Sequence, residues 1–158
     1  MKRAACLRIY LGLGSGSDAF LRLMNKRITV AQGARAVELF AAAGVGTAGF
    51  FMVGYPGEAF EDVEATFTLA LSLPLDEISF TVPLPRTALF ARIADIASWE
   101  DWEVSNQVKF VFPSAFDEKW LGRRIEETMA AFRERKGDAG PKAGLEGFFP
   151  AAREKRCR

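Results

Sequence analysis

The sequence predicts an α/β fold built on a parallel sheet, and three features carry that reading. Strand-like and helix-like patterns alternate from Leu7 to Val82, the second strand is an apolar run of small residues, and every strand ends in glycine or proline. Such β-α-β-α-β order implies right-handed crossovers, with ligands met at the carboxyl ends of the strands.

In the first strand, Leu7 to Leu13, Leu7, Ile9, Leu11 and Leu13 alternate with Arg8, Tyr10 and Gly12, and Gly14-Ser15-Gly16-Ser17 ends it. A short helix is expected at Asp18 to Met24. Thr29 then opens a longer helix with Gln32 three residues on, the reciprocal cap that satisfies orphan amides. Val30, Val37, Phe40 and Ala41 form its expected buried stripe, and Gly44 closes it in the left-handed conformation.

Val45 to Val53 reads as a parallel strand buried on both faces, ended by the turn residues Gly54-Tyr55-Pro56-Gly57. Glu58, Glu61 and Asp62 suit the positive end of the next helix, Phe60, Val63, Phe67 and Ala70 supply its apolar stripe, and Pro74 stops it. Ile78, Phe80 and Val82 then alternate with Glu77, Ser79 and Thr81 in a third strand. Past Pro83-Leu84-Pro85 a short helix is expected, with Thr87 as cap and Leu89, Phe90, Ile93 and Ile96 inward.

Trp99 and Trp102 fall in an acidic loop, and Gln107 to Phe112 reads as a strand. The last helix is capped by Ser114 with Asp117 behind it, and carries Phe116, Trp120, Leu121, Ile125, Met129 and Phe132 at helical spacing. The expected organisation is a parallel-sheet unit over residues 1–97, a strand-helix extension packed on it over 98–136, and a loose basic tail over 137–158.

Composition removes several kinds of chemistry. With 158 residues, 49% of them hydrophobic and 26% charged, the chain is an ordinary globular one. A domain of this size buries roughly 70% of its unfolded surface. A net charge of +1 offers no field to draw in nucleic acid or anionic lipid, so neither is expected as a partner. There is no histidine, which excludes the usual catalytic triads and imidazole acid-base work. Cys6 and Cys157 lie near opposite ends and read as reduced thiols rather than a metal-ligand cluster. No segment reaches the roughly 18 uninterrupted apolar residues of a membrane helix, and the expected compartment is the cytoplasm.

Three strand exits carry what chemistry remains. Gly12-Leu13-Gly14-Ser15-Gly16-Ser17 leaves a strand before a helix, where amides can cradle an anion or a ribose, although Ser17 stands at the third glycine of a dinucleotide fingerprint. Phe51-Met52-Val53-Gly54-Tyr55-Pro56-Gly57-Glu58 and Val82-Pro83-Leu84-Pro85-Arg86-Thr87 are the other two. Singly, each is also explained as plain turn architecture.

Together with Leu23-Met24-Asn25-Lys26, Thr29 and Ala43-Gly44-Val45, these exits resemble the second half of radical S-adenosylmethionine (SAM) barrels, most closely the group that carries a cobalamin-binding domain. The resemblance runs from Ala4 to Ile96 and is only general from Trp99 to Lys136. It implies a partial (β/α) barrel, half of a radical SAM barrel, with a C-terminal helical extension, in which the strands here are the fourth, fifth and sixth. SAM is the implied cofactor. Gly14 and Ser15 would lie by its ribose and amino acid part, Lys26 would meet its carboxylate, and Met52, Gly54 and Val82 would flank its adenine.

The resemblance also implies a 4Fe-4S cluster held by three cysteines spaced C-x-x-x-C-x-x-C. This chain has no such trio, so no catalytic residue or metal ligand is assigned, and the resemblance implies a truncated homologue that is not catalytic alone. Gly14 stands where the family usually has glutamate, which suggests that Gly14→Glu would strengthen SAM binding; Arg86 stands where it usually has glycine. Half a barrel leaves an open strand edge at Leu7 to Leu13, and self-association or pairing with a cluster-bearing chain is the expected consequence. An α/β protein-interaction module, half of a split enzyme, and a nucleotide binder built on Gly12 to Ser17 remain the alternatives.

Overall fold

A computed structural model describes residues 6–81 and 116–137. Over these residues the chain runs β1 (Arg8–Gly14), α1 (Asp18–Leu23), α2 (Val30–Ala42), β2 (Gly46–Met52), α3 (Phe60–Ser72), β3 (Glu77–Thr81) and α4 (Glu118–Lys136). The three strands form one parallel sheet in the order β1-β2-β3. The carboxyl ends of all three strands therefore lie at the same end of the sheet. The arrangement is that of a partial α/β barrel, as the alternation of elements predicts. Val82, the Pro83 to Thr87 exit, the short helix after it, the Trp99 and Trp102 loop, the Gln107 to Phe112 strand, Ser114 and the basic tail lie outside the described residues.

The sheet's helix-covered face makes the core. Leu13, Phe51 and Ile78 from the strands meet Val37 of α2, Ala70 of α3 and Phe132 of α4, with Leu73 and Leu75 from the turn before β3. Each fully buried leucine or phenylalanine in such a cluster contributes roughly 2 kcal/mol. A second cluster, Val53, Val63, Phe67, Phe116 and Leu121, locks α4 onto α3 near the strand exits. Arg124 reinforces that contact, with its Nε and Nη2 on the two carboxylate oxygens of Glu64 at 2.9 and 2.6 Å.

Several expectations need correction. Leu7 lies just before β1 and is 86% exposed rather than part of the apolar face. β2 is buried on both faces only in part: Ala48 is 2% exposed, but Phe50 on the same side is 41% exposed against Tyr10, because the helices that contribute to the core pack against Phe51's side. On α2, Val37 is buried, Val30 and Phe40 are half-buried, and Ala41 is exposed. The helix meets the sheet along Gly33 and Val37, where a side chain at Gly33 would sit 3.1 Å from Leu13 Cδ2. Phe60 leaves the α3 stripe, at 46% exposed, and packs edge-on against Phe116 and Trp120. The cap of α4 is Asp117, whose carboxylate accepts the Lys119 amide, one turn later than the Ser114 cap expected.

The local chemistry otherwise runs as anticipated. Thr29 and Gln32 form a complete capping box on α2, and Gly44 takes φ 66° after its end. Leu73, held extended by the following Pro74, terminates α3.

Candidate ligand-binding rim at the strand exits

At the exit of β1, Gly14 takes φ 85° and the pairing register slips between Leu11 and Gly14, a bulge that bends the chain over the sheet end. Ser15 then turns inward. It is 1% exposed, and its hydroxyl lies 3.0 Å from Thr66 Oγ1 of α3. Because the Thr66 hydroxyl donates to Asp62 O at 2.8 Å, it accepts from Ser15 and from the Gly16 amide at 2.9 Å, while Ser15 Oγ accepts the Ser17 amide at 3.1 Å. Both hydroxyl protons and both lone pairs of Thr66 Oγ1 are thereby assigned. Gly16 is required there: a side-chain carbon would fall 2.3 Å from the Ala65 carbonyl oxygen.

Ser17 caps α1 by accepting the Phe20 amide at 3.2 Å, and Asn25 ends the helix at φ 56°. The amides of Asn25 and Lys26 donate to Arg22 O and Leu21 O, both at 2.9 Å, the paired bonds of a Schellman closure. That reversal throws Lys26 back over the β1 exit, where its Nζ donates to Gly12 O at 2.6 Å. No carboxylate among the described residues pairs with it, and partial burial lowers its pKa below that of an ordinary lysine.

At the β2 exit the Val53 amide donates to Thr81 O at 3.0 Å, and Gly54 and Gly57 take φ 73° and 82°. Tyr55 sets its ring edge-on to Phe20, centroids 5.4 Å apart, joining this turn to α1. Glu58 folds back beneath the turn. Its amide donates to Tyr55 O at 3.0 Å, and its Oε2 accepts the Tyr55 amide at 3.1 Å. The side chain is buried, with the residue 2% exposed, and Oε1 has no hydrogen-bond partner. Burial pushes its carboxyl up to about 7, with the Tyr55 and Gly54 amides pulling the other way and Asp62 adding to the rise.

Gly14, Ser15, Lys26, Met52 and Gly54 thus all fall at one end of the sheet, with Met52 half-buried opposite Thr81. Val82 lies outside the described residues. Two residues of the rim were not anticipated. Glu58 was read as a helix-dipole partner, although an acid three residues beyond Tyr55 is also a turn-capping pattern; Thr66 was passed over, although a threonine on the buried face beside Phe67 implies a polar contact.

Comparison with known proteins supplies the family. The radical SAM superfamily model matches residues 1–70. The chain belongs to the radical SAM superfamily. An uncharacterized methyltransferase of Pyrococcus horikoshii is 37% identical over 92 residues, 57% of this chain and 20% of that protein. The anaerobic magnesium-protoporphyrin IX monomethyl ester cyclase of Rubrivivax gelatinosus is 27% identical over 135 residues, 84% of this chain and 24% of its own length. A tRNA-2-methylthio-N(6)-dimethylallyladenosine synthase of Geobacter sulfurreducens is 41% identical over 97 residues, covering 59% and 22%. This radical SAM chain therefore spans between a fifth and a quarter of the relatives it matches.

A radical SAM reaction takes its electron from an iron-sulfur cluster held by thiolates, and the residues here do not fit one. The sequence has two cysteines, Cys6 and Cys157, at opposite ends. Among the described residues no three metal-ligating side chains gather, and no helix is long and apolar enough to cross a membrane.

Proposed function

We propose that this chain carries the adenosyl-binding rim of a radical SAM domain and binds SAM without cleaving it alone. The observation that carries the reading is Lys26, a half-buried ammonium held over the β1 exit with no carboxylate among the described residues to balance it. A ligand carboxylate is the partner such a group lacks. Gly14 leaves room for the Lys26 stem, and Ser15 holds the turn in place by its bond to α3. Met52 and Gly54 are the proposed adenine contacts, together with Val82, which lies outside the described residues.

When bound, SAM supplies an activated sulfonium whose cleavage needs an external electron. These residues bind and orient; the thiolates must come from a segment outside the 158 residues, on this or another polypeptide. The family's cobalamin-associated group remains the proposed nearest kin. Beyond family membership, the methyl transfer, cyclisation and methylthiolation named for the relatives are not assigned to this chain.

Calorimetry with SAM and with NAD tests the reading. Saturable SAM binding that Lys26→Ala abolishes supports it, whereas binding of NAD alone, or of neither, contradicts it. The open side of the molecule adds a second proposal. Among the described residues β1 has a neighbour on only one side, and Tyr10, 60% exposed, lies tilted against Phe50 on the sheet face away from the helices. A parallel sheet is ordinarily covered on both faces. We assign this side to the cluster-bearing segment, with a second copy of the chain as the substitute when that segment is absent. Size-exclusion chromatography over a range of concentrations is expected to show self-association; a monomer at every concentration counts against it.

A further inference from the structure

We infer that Gly14 is a specificity-determining residue of the rim: its missing side chain leaves open the path by which Lys26 reaches the β1 exit, and the pair makes that exit a seat for a carboxylate. The geometry is specific to these two residues. A side-chain carbon built on Gly14 would lie 3.0 Å from Lys26 Cδ, 3.0 Å from Lys26 Cε and 3.1 Å from Leu21 Cδ2. The backbone at φ 85° independently disfavours any residue but glycine. The space that a side chain at position 14 would enter is already filled by the lysine stem.

The ammonium at the end of that stem has three donors, and Gly12 O takes one of them. Burial without a carboxylate makes its charged form costly, which is why its pKa falls. A bound carboxylate would remove that cost. Lys136, at the other end of the sheet, shows the contrasting solution, paired with Asp76 at 3.0 Å. On this geometry Gly14→Glu is expected to weaken SAM binding rather than strengthen it, because its stem needs the space that Lys26 occupies.

This inference rests on the adenosyl reading for its ligand but not for its geometry, and the test separates the two. The first arm follows the Lys26 side-chain amine by NMR with labelled lysine, assigned by its loss in Lys26→Met. In the wild-type chain it titrates below the ordinary lysine value; in Gly14→Ala it returns toward that value. An unchanged titration in Gly14→Ala overturns the pair. The second arm compares S-adenosylhomocysteine with its decarboxylated analogue by calorimetry. The wild-type chain is expected to favour the carboxylate by about tenfold, with the preference lost in Gly14→Ala and Lys26→Met. Equal affinities refute the seat while leaving adenosyl binding intact, and no binding of either ligand refutes both. If Gly14→Ala does not fold, Lys26→Met decides through the second arm, since it keeps the stem and removes only the charge.

Discussion

At the amino end of the sheet, Asp76 accepts the Thr47 amide at 2.8 Å and the Lys136 ammonium at 3.0 Å, and Arg8 meets Glu77 at 2.8 Å, whereas at the carboxyl end neither Lys26 nor Glu58 is matched by an opposite charge among the described residues. Burial works to raise the Asp76 carboxyl, but the Thr47 amide and the Lys136 and Arg8 charges outweigh it and hold the group below its ordinary value. Among the described residues, the buried polar orphan at that end is the neutral Thr47 hydroxyl. One end balances its charges near water, and the other keeps costly ones under cover. In folds of this kind the carboxyl ends of the strands are where ligands act and the opposite face serves stability, and the charges here divide in the same way.

Substitutions at the two ends should differ in size. The largest effect is expected from Gly16→Ala, because a side-chain carbon 2.3 Å from the α3 backbone forces the β1 turn off the helix. A loss of about 3 kcal/mol in denaturant unfolding is expected. Thr66→Val should cost about 2 kcal/mol in the same assay, since Ser15 and the Gly16 amide lose their shared acceptor while remaining buried.

Glu58 gives the rim a pH signature. Its carboxyl rises from 4.5 in the unfolded chain to about 7 in the folded one. Below the lower value both states are protonated and there is no penalty; between the two the unfolded state alone ionises, so stability falls as pH rises, and above the upper value the full cost of about 3 kcal/mol is present. Glu58→Gln should therefore be more stable than the wild type by about 1–2 kcal/mol at pH 8 and should lose that slope. A slope unchanged by the substitution would mean that another group sets it.

The smallest effect is expected at the amino end. Lys136→Ala should cost less than about 1 kcal/mol, and added salt should erase the difference, because both partners of that ion pair reach water. A loss larger than that of Thr66→Val would break the contrast between the ends.

How much of this was legible follows from how local each signal is. β1, β2 and β3 announce themselves because Ile9, Leu11 and Leu13, the small-residue run before Val53, and Ile78 with Phe80 are read within one strand each. The Thr29 and Gln32 box and the Gly44 closure are decided within a single turn. The α4 cap was misplaced because Ser114 and Asp117 both have capping chemistry and their choice depends on where Phe116 seats, against Phe60 and Trp120. Glu58 looked like a surface acid because charge near a helix start suits the dipole; only the return of the chain through Gly57 buries it. The Gly14 and Lys26 contact spans a whole helix and depends on the left-handed Asn25, so neither residue reveals it alone.

The central claim is best tested by mapping amide chemical shifts while SAM is added to the isotopically labelled chain. Changes concentrated at Gly12 to Ser17, Lys26 and Met52 to Glu58, with Asp76, Glu77 and Lys136 undisturbed, are the predicted result. Changes centred on the Asp76 end, or none at saturating SAM, would contradict the account.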